Sequence, residues 1–397
     1  MLNELEKLHL RLRSLAVFRS LLDDDVLLAL DRVLSCADRP AAEQADAYSA
    51  FVSRLYDAGG DLGAYVLDLV LADENAYVHR RAQRQAPGRV LEECLQNELG
   101  VLEEVSHLRP ETVQKHIAYT GFLPAWTVFK ADFAKAYADR MGNLSRAGYG
   151  VFSKYHMFTL QSGAIAPVTC PDPVKLSDLK SYGVERAAVV ANTRALLKGK
   201  PAANVLLYGD AGTGKSSTVK AVVNAFKDEG LRLIEITMTQ FREIPALLER
   251  LSVNPLRFIL FIDDLSFAEE TADFGALKAV LEGTVSVKSG NIAIYATSNR
   301  RRLVKESFSD RSGDDVHRNE TIQELSSLSE RFGLSVHFFR PDRAQYLEIV
   351  RALGAQYGIG MHGEELDAQA ERYALRRGGR SPRVARQFVE HMKSGGE

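Results

Sequence analysis

Eight consecutive residues, Gly209-Asp210-Ala211-Gly212-Thr213-Gly214-Lys215-Ser216, follow the pattern G-x-x-x-x-G-K-[ST]. Glycines at this spacing let backbone N–H groups curl around phosphate oxygens, and a helix starting behind them turns its positive end toward the same anion. A lysine in the place of Lys215 reaches the β- and γ-phosphates, and a hydroxyl in the place of Ser216 joins a Mg²⁺ shell, with Ser217 next in the same helix start. A Gly-rich turn can match such a pattern by accident. Here an uncharged run, Val205-Leu206-Leu207-Tyr208, precedes it as a strand buried on both faces, and residues 218–226 follow as a helix. That context makes the stretch a nucleotide site.

Further polar residues stand at the ends of later apolar runs. Residues 258–262, FILFI, form a strand that delivers Asp263 and Asp264 to the crevice where phosphates sit. Asp263 would anchor Mg²⁺ through water, and Asp264 would orient or deprotonate an attacking water. Asn299 tips the strand 291–297, where its amide can contact that water and the γ-phosphate. Arg331 precedes the strand 334–338, a place from which a neighbouring subunit's nucleotide can be reached. Pro382 suits a first helical turn and would aim Arg383 at the phosphates. Tyr182 and Val184, ahead of the helix 186–197, are counted with the nucleotide-binding set.

The elements that must position these residues alternate helix and strand from Leu176 onward, with strands at 231–238, 258–262, 291–297 and 334–338. The expected class is α/β: a parallel-sheet domain over 176–340, then a helical lid over 341–397. Residues 1–148 read as an all-helical domain, with amphipathic or apolar runs punctuated by Pro40, Gly59-Gly60, Pro87-Gly88 and Pro110. Leu5, Leu8, Leu12 and Leu15 line one helix face, which reads as packing on its own domain. Residues 149–175 read as a connecting segment, with a Pro-rich stretch at 166–173. The aromatic stripe Tyr149, Phe152, Tyr155, Phe158 and the lone Trp126 read as core, and His79-Arg80-Arg81 with Arg84 as a solvated helix face.

A chain of 397 residues is long enough for two or three cores, and its 46% hydrophobic and 26% charged residues are those of a soluble globular protein. A net charge of −2 supplies no global pull toward nucleic acid or an anionic membrane. Cys36, Cys94 and Cys170 are scattered, against a disulfide framework or zinc site and in keeping with a reducing cytoplasm. The charged N-terminus is unlike a signal peptide, and no run of about eighteen apolar residues suits a membrane span.

Phosphate loop, Asp-Asp strand end, strand-tip Asn299, Arg331 and Arg383, in this order before a helical lid, resemble an AAA+ ATPase over residues 172–392. The phrases LLYGDAGTGKSS, LFIDDLSF, ATSNRR, SLSERFGL and SPRVARQF resemble more narrowly a bacterial family of AAA+ ATPases known only as domains of unknown function. The resemblance implies ATP and Mg²⁺ as cofactors. It makes Lys215 and Ser216 the Walker A contacts, Asp263 and Asp264 the Walker B pair, Asn299 sensor 1, Arg331 an arginine finger acting in trans, and Arg383 sensor 2. It also implies a homo-oligomeric ring or spiral, a hexamer among the sizes open to it, acting on a protein or nucleic-acid partner.

Two departures bear on function. Asp264 stands where the family's usual Walker B ends in glutamate, one methylene longer, so slow turnover is expected. The stretch 237–244, TMTQFREI, lacks the aromatic-hydrophobic-glycine pore loop of protein-threading relatives; Phe241 is expected in the core rather than a pore. The leading expectation is an interface ATPase that remodels or loads a partner. The alternative is a slowly hydrolysing, nucleotide-switched scaffold or loader, with a small-molecule kinase third. Arg300-Arg301-Arg302 and Arg376-Arg377 are basic spots without a nucleic-acid-binding motif, read as surface charge.

Overall fold

The computed structural model describes residues 3–265, 272–282, 290–299 and 331–395, with the side chains of 272–274, 276 and 282 left aside. The chain divides after Lys154 into two compact units. No helix among the described residues is long and apolar enough to cross a membrane.

The first unit is helical. Its longer helices include α1 (Glu4–Arg13), α2 (Asp25–Leu34), α3 (Ala41–Asp57), α4 (Leu62–Ala72) and α6 (Arg89–Ser106), with the short α5 (Ala76–Ala82) before the last of these. Asn3, Asp24, Asp61 and Asn75 cap helix starts by accepting backbone N–H bonds, which satisfies donors that have no partner inside the helix. Leu5, Leu8, Leu12 and Leu15 are all buried in this unit's core, as are Trp126, Tyr149 and the rings of Tyr48 and Phe51.

The second unit is built on one seven-stranded sheet. Its strands are β1 (Met157–Gln161), β2 (Ala164–Pro167), β3 (Val205–Gly209), β4 (Leu231–Glu235), β5 (Arg257–Ile262), β6 (Ile292–Ser298) and β7 (Leu334–Phe338). The order is β2-β1-β4-β5-β6-β3-β7, and every pairing except β1–β2 is parallel. The β3, β4 and β5 side chains are almost all buried, because helices cover both faces of a parallel sheet. Each large apolar side chain removed from water here contributes about 1.5–3 kcal/mol. Three helices, Arg343–Tyr357, Gly363–Arg376 and Pro382–Lys393, share a separate small core and form the lid.

Two expectations are corrected. Residues 149–175 are not only a connector: β1 and β2 form a hairpin that extends the sheet, β1 pairing parallel to β4. Its two-residue turn, Ser162-Gly163, has φ of 49° and 79°, the both-positive geometry that suits the twist of a tight hairpin. The second strand of the nucleotide domain also ends early, at Glu235 rather than Met238, and a 3-10 turn, Met238–Glu243, follows. Phe241 in that turn is fully buried, and Gln240 Nε2 donates to the Leu160 carbonyl of the hairpin at 3.0 Å.

Candidate nucleotide site

Because β3, β5, β6 and β7 run parallel, their C-terminal ends reach one rim of the sheet. Gly209, Asp263, Asn299 and Arg340 therefore meet there, although 131 positions separate the first from the last. The phosphate loop needs its glycines. Gly209, Gly212 and Gly214 have φ of 133°, 77° and 91°, backbone shapes that residues with a Cβ rarely adopt. A Cβ on Gly209 would also stand 2.2 Å from the Phe338 carbonyl oxygen. The helix Lys215–Phe226 starts directly behind the loop and turns its free N–H groups toward it.

Lys215 is buried, and its Nζ donates to the carbonyls of Gly209 at 2.9 Å and Asp210 at 2.7 Å and to Asn299 Oδ1 at 3.1 Å. Burial lowers its pKa from the ordinary lysine value, opposed by the charges of Asp210, Asp264 and Asp263. The Ser216 hydroxyl donates to Asp263 Oδ1 at 2.6 Å. A hydroxyl beside an exposed carboxylate is a set of hard oxygen donors that fits Mg²⁺, which keeps several of its own waters. Asn299 Nδ2 donates to Asp264 Oδ1 at 2.7 Å, so the strand-tip amide joins the lysine to the second acid. Asp264 itself has φ of 53°, a strained shape for a non-glycine residue at the point where its carboxylate turns into the crevice.

Thr297, which the sequence marks only as a strand residue, holds both acids. Its hydroxyl donates to Asp263 Oδ1 at 2.5 Å and accepts the Asp264 N–H at 2.9 Å. Valine has the same shape without the hydroxyl. Thr297→Val is expected to slow nucleotide turnover about five- to 150-fold while Thr297→Ser retains it, since losing a buried bridge costs about 1–3 kcal/mol. Steady-state phosphate release checks this, and an unchanged rate in the valine variant contradicts it.

Arg383 comes to the loop from the lid. Its N–H donates to the Gly212 carbonyl at 3.1 Å, and its charge contributes to lowering the Lys215 pKa. Arg331 does not come to the loop: it stands ahead of the first residue of β7, at the end of the strand opposite Phe338. The Tyr182 hydroxyl donates to the Phe339 carbonyl at 2.5 Å and its ring packs on Phe338, while Val184 is 83% exposed. A small cleft beside Thr213 and Gly214 is lined in part by Leu179, Lys180, Ile349, Leu353 and Pro382. The charged Asp178, Arg186 and Arg386 share that lining. Leu179 and Lys180 directly precede the stretch 181–185 read from sequence; Ile349 and Leu353 of the lid carried no local signal. Arg300-Arg301-Arg302 lie outside the described residues.

A parallel sheet with a phosphate loop behind β3, acids behind β5, an amide behind β6 and a three-helix lid is the AAA+ fold. Within that class the chain belongs to the family described as "Protein of unknown function (DUF815)", whose model matches residues 153–396. The chain is also similar to the replication factor C large subunit of Staphylothermus marinus, 31% identical over 117 residues, 28% of this chain and 27% of that protein. The corresponding subunit of Sulfolobus acidocaldarius is 34% identical over 116 residues, 28% of this chain and 26% of that protein. The chain thus spans about a quarter of the length of these relatives. Among solved structures, the RuvB Holliday junction branch migration motor of Thermotoga maritima aligns with TM-score 0.38 and 16% identity, over 56% of this chain and 65% of that one.

Proposed function

We propose that the chain binds ATP with Mg²⁺ and hydrolyses it at interfaces between like subunits, in a ring or spiral that remodels or loads a macromolecular partner. The observation that carries this reading is the hydrogen-bonded series Lys215–Asn299–Asp264 beside Ser216–Asp263–Thr297 at the sheet rim. Lys215 would neutralise the β- and γ-phosphates, and Ser216 and Asp263 would hold Mg²⁺. Asp264 would accept the proton of the attacking water, with Asn299 fixing its carboxylate. Arg383 would meet the phosphates of its own subunit, and Arg331 those of a neighbour. Bound Mg²⁺ would supply charge neutralisation on the phosphate oxygens.

A specific observation favours slow turnover, and with it the switched scaffold or loader. Asp264 is one methylene shorter than glutamate and its Oδ1 is already engaged by Asn299. The buried Phe241, in a turn tied to the β1–β2 hairpin, is also no exposed pore residue. Asp264→Asn is expected to bind ATP as the natural protein does and to hydrolyse it at least about a hundredfold more slowly, the usual scale for a lost general base. Asp264→Glu is expected to turn over faster than the natural protein. Phosphate-release rates at saturating ATP decide between them. Natural turnover in the asparagine variant would place the base elsewhere.

A further inference from the structure

The three residues where β7 leaves the sheet, Phe338 to Arg340, are tied to the phosphate loop on one side and to the lid on the other. The Asp210 N–H donates to the Phe338 carbonyl at 3.2 Å, and the Asp210 carboxylate accepts the Arg340 N–H at 2.9 Å. The Arg340 side chain leaves in the direction of the lid. Its Nη2 donates to the Gly378 carbonyl at 3.2 Å, and its guanidinium lies against Gly379, where a Cβ would stand 3.0 Å from Cζ. Gly379 also has φ of 125°, a backbone shape that favours glycine there.

What Arg340 grips is the segment leading into the last lid helix. Arg380, the next residue, makes two bonds to Glu371 of the second lid helix, at 2.9 and 2.6 Å. Ser381 caps the last helix at the Val384 N–H, and Arg383 N–H reaches the Gly212 carbonyl. The lid segment is thus a stiff piece held at two points, Gly378 by Arg340 and Arg383 by the phosphate loop.

We propose that Arg340, anchored through its backbone on Asp210, is a positioning residue that latches the lid so that Arg383 stands over the phosphate loop. Arg340 acts through Arg383. The Gly209 carbonyl, in the same peptide as the Asp210 N–H, accepts from Lys215 Nζ at 2.9 Å, so a phosphate that draws Lys215 away alters a peptide on which the latch is anchored. Phosphate occupancy and lid orientation are coupled by this route, a consequence that rests on the nucleotide reading above; the latch itself does not.

The test has two arms on the full chain. In the first, amide hydrogen exchange of the nucleotide-free protein follows residues 376–386. Arg340→Ala is expected to speed exchange there at least about tenfold, as for a local opening, with 205–209 unchanged and Arg340→Lys recovering part of the protection. Unchanged exchange at 376–386 overturns the latch. In the second, ATP turnover is expected to fall about tenfold in kcat with little change in KM, a loss of alignment rather than of binding. The double variant Arg340→Ala with Arg383→Ala should be no slower than Arg383→Ala alone, whereas additive losses would show that Arg340 does not act through Arg383. If the natural protein binds no ATP, the nucleotide reading fails while the exchange arm still decides the latch.

Discussion

Lys215→Ala is expected to weaken ATP binding by more than about a hundredfold while leaving the fold intact. The ammonium is buried, at 6% exposure, where little water screens its attraction to a phosphate. Its present partners are two loop carbonyls and Asn299, neutral acceptors that a doubly charged phosphate outcompetes. Bonds between charged groups in such places are worth about 1.5–3 kcal/mol each, and 2.8 kcal/mol is about a hundredfold in Kd. The same burial sets the pH dependence. Lys215 titrates below its ordinary 10.5, and bound phosphate favours the protonated form, so affinity should fall as pH rises through that lowered value. Titration with a fluorescent ATP analogue measures both. Unaltered affinity in the alanine variant would remove the phosphate loop from nucleotide binding.

The second large effect belongs to Arg331. Arg331→Ala is expected to bind ATP with natural affinity and to lose about 10³-fold or more in turnover, the scale of an arginine finger. The argument is one of place. β7 lies parallel to β3, with Phe338 beside Gly209 and Leu334 beside Val205. Arg331, three positions before Leu334, is therefore at the far end from its own chain's phosphate loop. Phe332 next to it is buried, which fixes the backbone that carries the arginine. On the proposed reading, an arginine so placed serves the nucleotide of a neighbouring subunit. Turnover should accordingly rise more steeply than in proportion to protein concentration until assembly is complete. An Arg331→Ala rate within a factor of about three of the natural one, far below the about 10³- to 10⁵-fold scale of a finger, would exclude this role.

Much of the site was legible because the chemistry sits at strand ends, and strand ends are local events. An uncharged run followed by Gly209, by Asp263-Asp264 or by Ser298-Asn299 marks where a buried strand emerges, and a parallel sheet then does the gathering. The bounds of β7 coincide with those expected, 334 to 338. The hairpin β1–β2 was hidden because aromatics spaced by three at 149–158 mimic a packed stripe; Ser162-Gly163 between two short apolar runs was the available turn signal. Thr297 gave no sign, because a buried threonine in a strand looks like any β-branched residue until its hydroxyl is seen between two acids. Ile349 and Leu353 reach the cleft only through lid packing, which no local pattern encodes. Glu98 is a further case. In sequence it is one more charge on an amphipathic helix, yet it is buried and its carboxylate accepts the N–H groups of Ala16, Val17 and Phe18.

The central claim, an ATPase whose site is completed by a second copy of the chain, is tested most directly by mixing two inactive variants. Lys215→Ala lacks the phosphate contact but keeps Arg331; Arg331→Ala keeps an intact phosphate loop. Each alone is predicted to show background phosphate release, and the mixture, after subunit exchange, to recover a substantial fraction of the natural rate. A mixture that stays at background, while the natural protein turns over and the subunits are seen to exchange, would contradict the claim.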